Sequence, residues 1–126
     1  MKAQIVADEK DLRILSVSFS HGSVHDFRLF CRSRVHFSKD VLLIADKGYI
    51  GIDKIHSNSL VPKKSTKKHT KEDKKYNSII SRRRIYIEHV NRHIKRFRIV
   101  STRYRNKRRK FALRFSLICA IYNFEL

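Results

Sequence analysis

Val41-Leu42-Leu43-Ile44-Ala45-Asp46-Lys47-Gly48-Tyr49-Ile50-Gly51 is the stretch on which the fold turns. Its five consecutive apolar residues, 41–45, predict a strand buried on both faces, because a strand with one wet face would alternate instead. Strands of that kind belong to mixed α/β sheets. Asp46 then protrudes at the strand's carboxyl end, where such sheets place ligands, and Gly48 and Gly51 mark the turn that follows.

Toward the N-terminus, residues 3–7 and 14–19 are rich in apolar β-formers and flank the polar run Asp8-Glu9-Lys10-Asp11, a pattern that predicts a β-hairpin. Asp8 is assigned to its turn rather than to catalysis. Gly22-Ser23 opens a helix to about Arg34, with Val24, Phe27 and Phe30 or Cys31 at helical spacing. Ser23 and Asp26 fit a capping box, and this role ranks ahead of acid–base chemistry by Asp26 or its neighbour His25.

Toward the C-terminus, a short strand over 59–61 is stopped by Pro62, and the Lys-rich residues 63–76 read as a solvated loop. Residues 77–99 form a long helix in this reading, since Ile80, Ile87, Val90, Ile94 and Phe97 share one stripe. A last helix over about 106–124 repeats the pattern with Phe111, Phe115, Ile118 and Tyr122. Its first turn, Lys107-Arg108-Arg109-Lys110, has the wrong sign for a helix N-terminus unless an anion sits there.

The 126 residues suit one domain, with residues 3–62, 63–76 and 77–126 as hairpin, helix and strands, Lys-rich loop and helical part. A net charge of +19 makes a polyanion the first partner to consider, because neutralising phosphates releases counterions. Residues 63–110 hold 20 of the 30 Lys and Arg against Glu72, Asp73 and Glu88 alone, so the binding surface is expected in the second half. Its candidate contacts are Lys63, Lys64, Arg92, Arg96, Arg98, Arg103, Tyr104, Arg105, Lys107, Arg108, Arg109 and Lys110. Tyr104, between two arginines, is the aromatic best placed to stack on a base, whereas Phe97 and Phe111 are expected in the core.

No apolar run approaches the ~18 residues of a membrane span and no cleavable leader is evident, so a cytoplasmic, nucleoid-associated protein without a membrane partner is expected. Cys31 and Cys119 match no metal-ligand spacing and read as reduced, small core residues. His89 and His93 are spaced i,i+4, but Glu88 precedes the first and no third ligand is evident, which argues against zinc.

On the predicted helix, Arg84 lies about 40° and Lys95 about 20° from Glu88, with Asn91 in reach of the same strip. The plain reading is an Arg84–Glu88 ion pair worth a few tenths of a kcal/mol. The sharper one takes Glu88 and Asp46 together, two carboxylates in cationic surroundings that would converge on divalent metal ions while Lys and Arg hold a phosphate backbone.

The ordered blocks Gly22-Ser23-Val24-His25-Asp26-Phe27, Leu43-Ile44-Ala45-Asp46-Lys47-Gly48-Tyr49-Ile50-Gly51, Pro62-Lys63-Lys64, Arg84-Ile85-Tyr86-Ile87-Glu88-His89, Lys95-Arg96-Phe97-Arg98 and Tyr104-Arg105-Asn106 resemble the C-terminal part of the DDE transposases of bacterial insertion sequences. The resemblance covers nearly the whole chain. It implies a ribonuclease-H-like mixed α/β sheet with flanking helices, presenting two Asp and one Glu to two Mg²⁺ or Mn²⁺ ions for phosphoryl transfer on DNA. Asp46 corresponds to the second Asp and Glu88 to the Glu, both as metal ligands. Arg84, Glu88 and Lys95 match the family's Tyr-x2-Arg-x3-Glu-x6-Lys signature, in which Arg84 and Lys95 would contact phosphate or the transition state. Ser81 stands where that signature has tyrosine.

In that family the first Asp lies on a central strand upstream of the hairpin, and here Met1 directly precedes Lys2-Ala3-Gln4. The expectation is therefore a truncated or split transposase that lacks its first, central strand, binds metal weakly and is inactive alone. Its partners would be transposon ends, target DNA and an upstream fragment or an intact transposase. Two rivals are a non-catalytic DNA-binding fragment that regulates or complements an intact transposase, and a basic RNA- or ribosome-binding protein.

Overall fold

In a computed structural model, which describes residues 2–63, 70–96 and 108–126 (the side chains of 108 and 109 excepted), residues 2–20 form the predicted hairpin. Strands β1 (Lys2–Ala7) and β2 (Ile14–Ser20) pair antiparallel, with Ile5 opposite Val17 and an irregularity between Val6 and Ala7. Two aspartates build the connection. Asp8 accepts the Lys10 N–H at 2.8 Å and Asp11 the Arg13 N–H at 3.0 Å, while Leu12 takes a left-handed conformation (φ 61°).

The remaining elements are α1 (Asp26–Ser33), β3 (Leu43–Ile44), β4 (Ser59–Leu60), α2 (Lys71–Lys95) and α3 (Arg108–Phe124), with 3₁₀ turns at Lys47–Tyr49 and Ile52–Lys54. Among the described residues the strands form two separate two-stranded sheets, the β1–β2 hairpin and a parallel β3–β4 pair. With three helices described, the arrangement is mixed α/β. No helix among these residues is long and apolar enough to cross a membrane.

The chain divides into two units. The first, Met1–Gly22 with Tyr86–Leu126, is organised around Ile14, Val90, Ile94, Phe115, Ile118, Cys119 and Tyr122. Val90 and Ile94 are almost wholly shielded, and burial of such side chains contributes about 1.5–3 kcal/mol each. Phe19 of β2 meets Phe115 of α3 edge-to-face, ring centres 5.5 Å apart. The end of α3 is tied to the start of β2 by polar contacts. Asn123 accepts the Ile14 N–H and donates to the Ile14 carbonyl, both at 2.8 Å, and the Tyr122 hydroxyl donates to the Leu12 carbonyl at 2.9 Å. The amide of Asn123 thus engages the backbone groups of Ile14 much as a neighbouring strand would.

The second unit, Ser23–Ile85, holds α1, β3, β4, both 3₁₀ turns and the first part of α2, and buries Leu29, Phe30, Ile52 and Ile80. Four expectations are corrected here. Helix α1 begins at Asp26, because His25 stays extended (φ −65°, ψ 142°) and serves as an N-cap without a side-chain bond; Ser23 lies outside, so no Ser23–Asp26 capping box forms. The apolar run 41–45 contributes only Leu43–Ile44 to a ladder, and Val41 and Leu42 are exposed rather than buried on both faces. Helix α2 begins at Lys71, inside the stretch read as loop. Thr70 and Asp73 cap it reciprocally: the Asp73 N–H donates to Thr70 Oγ1 at 3.1 Å, and the Thr70 N–H to Asp73 Oδ2 at 3.3 Å. Cys31 is exposed, whereas Cys119 is buried as expected and burial pushes its thiol up to about 11.

Candidate functional site

Asp46 stands two residues beyond Ile44, just past the carboxyl end of β3. The ladder is anchored by Leu43 N–H to the Asn58 carbonyl and Ala45 N–H to the Leu60 carbonyl, both 3.0 Å. His56 Nε2 meets the Val41 carbonyl at 2.5 Å on the approach to the strand. At Asp46 the chain leaves the ladder and turns: Oδ1 accepts the Lys47 N–H at 2.5 Å and the Asp46 carbonyl accepts the Tyr49 N–H at 3.0 Å. Oδ2 lies 3.3 Å from Arg84 Nη2, with the Asp46 side chain 52% and the Arg84 side chain 23% exposed. At such exposure the pair contributes about 0–1 kcal/mol, so its role is orientation rather than stability.

The 3₁₀ turn is seated on α1. Tyr49 meets Phe30 edge-to-face at 6.4 Å, and the Tyr49 hydroxyl is pushed up to about 12 by burial, with the charges of Asp26 and Asp46 adding to the effect. Asp26 therefore belongs to the surroundings of Asp46. A β-carbon at position 48 would overlap Asp26 Oδ2 and lie 3.1 and 3.2 Å from its Cγ and Cβ. Gly51 has φ 108°, a conformation that favours glycine, and a β-carbon there would touch the Phe27 ring at 3.4 Å.

Glu88 is exposed on α2 in the other unit, where Glu88, Asn91, Arg92 and Lys95 line a shallow depression of about 300 Å³. The predicted strip of Glu88, Asn91 and Lys95 is thereby brought together, and Arg92 joins it. Arg84, one turn before Glu88 on the same helix, pairs with Asp46. Asp46 and Glu88 fall in different units.

Of the cationic candidates, Arg92, Arg96 and Lys110 are exposed. Arg96 Nη1 donates to His93 Nδ1 at 3.2 Å, and His93 also packs on Tyr122, ring centres 6.0 Å apart. Lys63 has local partners: its N–H donates to Asn77 Oδ1 at 2.8 Å, its Nζ is 3.7 Å from Asp73, and it lies 5.7 Å over the Tyr76 ring. Lys64, Arg98, Arg103, Tyr104, Arg105 and Lys107, with Phe97 and the side chains of Arg108 and Arg109, lie outside the described residues. No group of three His, Cys, Asp or Glu among the described residues is placed to hold a metal ion.

Comparison with known proteins gives this geometry its context. The chain is 49% identical, over its whole length, to the probable transposase for insertion sequence element IS702 of Microchaete diplosiphon, and it spans about half of that relative (46%). No solved structure matches the chain. The profile of the family described as Transposase DDE domain matches residues 1–124, and on that match and the identity with the IS702 protein the chain belongs to the DDE transposases of insertion sequences.

Proposed function

We propose that the chain supplies the second half of a DDE transposase core, which cuts and joins DNA by divalent-metal-dependent phosphoryl transfer. The observation that carries this reading is an accessible carboxylate at the carboxyl end of β3, paired with Arg84 of the helix that also bears Glu88. Asp46 and Glu88 are hard oxygen donors of the type that suits Mg²⁺ or Mn²⁺. When bound, such an ion supplies Lewis acidity toward the phosphodiester and lowers the pKa of a bound water or hydroxyl.

The chain's own groups have separate tasks. The Lys47 N–H and Arg84 fix the plane of the Asp46 carboxylate, while its exposure leaves room for a DNA backbone. Arg84, with its planar fork of donors, and Lys95, as a compact charge, would contact non-bridging phosphate oxygens. The family pattern of two Asp and one Glu calls for a further carboxylate beside Asp46 and Glu88. A ribonuclease-H-like order would bring it on a central strand between the β1–β2 hairpin and β3, from a longer chain or a second polypeptide. A DNA substrate would place the protein at the nucleoid.

Manganese titration followed by NMR tests the proposal. Mn²⁺ should selectively broaden the amides of Lys47 and of Glu88 and His89, and Asp46→Asn or Glu88→Gln should abolish the effect at its own end of the site. Weak broadening spread over all acidic residues would overturn the assignment.

A further inference from the structure

We propose that Asp26 is a positioning residue for Asp46: its side chain occupies the space left by the missing β-carbon of Gly48 and holds the Asp46–Tyr49 turn against α1. This rests on the role proposed for Asp46. The sequence suggests a Ser23–Asp26 capping box, but α1 is capped by His25 without a side-chain bond and Asp26 is its first residue. Helix initiation explains a favourable acid in the first turn. It does not explain why the carboxylate lies against Gly48.

Three observations converge on the same contact. A side chain at position 48 fits only if Asp26 gives way, and backbone freedom is not the issue, since Gly51 is the glycine with positive φ. The reason is space: Oδ2, Cγ and Cβ of Asp26 stand where a side chain would begin. A second anchor, Phe30 against Tyr49, fixes the far end of the same turn to the same helix. Just before these anchors lie Lys47, whose N–H binds Asp46 Oδ1, and the Asp46 carbonyl, which accepts from Tyr49. Displacing the Asp26 side chain therefore frees the turn that sets the direction of the Asp46 carboxylate.

A paired-substitution experiment on the full chain tests this. Gly48→Ala and Asp26→Ala should each shift the Lys47 amide resonance, the reporter of its bond to Asp46, and each should lower the thermal midpoint. When Asp26→Ala and Gly48→Ala are combined, the loss should be smaller than the sum, because the new methyl enters the space vacated by the carboxylate. Asp26→Asn, which keeps the shape, should retain the wild-type Lys47 signal. The amides of Ile14 and Asn123, in the other unit, should not move in any variant. Strict additivity, or an unmoved Lys47 amide in Asp26→Ala, overturns the inference.

Mn²⁺ separates this inference from the reading beneath it. Coupling between positions 26 and 48 without Mn²⁺ broadening at Lys47 would leave the positioning contact standing and remove the metal role of Asp46. Equal Mn²⁺ broadening at Lys47 in wild type and Asp26→Ala would do the opposite.

Discussion

At the scale of single residues, the surroundings of Asp46 depend on side chains that each satisfy a backbone or steric demand. Asp26 lies in the space beside Gly48, Asp46 caps its own turn, and Tyr49 is held by Phe30 within the field of two carboxylates. The tyrosine makes a measurable prediction. Its hydroxyl rises from 10.0 to about 12 in the folded chain, so the folded state keeps a proton that the unfolded chain releases between those values. Stability from this source is full below pH 10 and is lost as pH climbs through 12. Solvent reaches part of the ring and screens the effect, so urea denaturation should show wild type losing on the order of 1 kcal/mol more than Tyr49→Phe between pH 10 and 12. Cys119, raised to about 11, adds its own loss from pH 9 upward in both proteins, so the difference between them isolates Tyr49. Parallel curves would show that Tyr49 is not shielded as described.

At the scale of elements, the N-terminus of α2 shows what a cap can do for a highly charged segment. Lys71, Lys74 and Lys75 are the wrong sign for a helix start, yet Glu72 and Asp73 fall in the first turn and Thr70 closes a reciprocal box with Asp73. Thr70→Ala should cost about 1 kcal/mol and fray the helix from Lys71 toward Asn77, seen as faster hydrogen exchange there with unchanged exchange at Val90 and Ile94. Uniformly faster exchange along α2 would mean that the cap governs more than its own turn. The signal, a threonine followed three residues later by an acid, was present in the sequence but masked by the lysines around it. Where one period dominated, the sequence was clear: the hairpin and the α3 stripe of Phe115, Ile118 and Tyr122 came out as expected. The apolar character of the run 41–45 says nothing about how many partners a strand has: only Leu43 and Ile44 join a ladder, with one neighbour among the described residues. The Arg84–Asp46 pair was illegible for a related reason. The helix wheel could match Arg84 only to residues of its own helix, whereas its partner comes from the turn after β3.

At the scale of the molecule, charge dominates. Most of the excess over neutrality lies in residues 63–110, and a polyanion bound there would release counterions in proportion to the phosphates neutralised. The structure grades the described cations by how far they are already committed. Lys63 shares its charge with Asp73 and lies over Tyr76, so little of it remains for DNA. Arg92 and Lys95 are exposed beside Glu88, around an open depression. If the proposed function is right, the logarithm of duplex affinity against the logarithm of salt should fall steeply, and Arg92→Gln or Lys95→Gln should each reduce the slope by about 0.9. Lys63→Gln should reduce it by much less. Glu88→Gln should raise affinity at low salt, since it removes an anion from the phosphate path, and that gain should vanish as screening increases. Fluorescence anisotropy across a salt series measures wild type and all four variants. An equal change of slope at Lys63 and Arg92 would show that DNA contacts the chain through diffuse charge, and the depression around Glu88 would lose its claim to the phosphates.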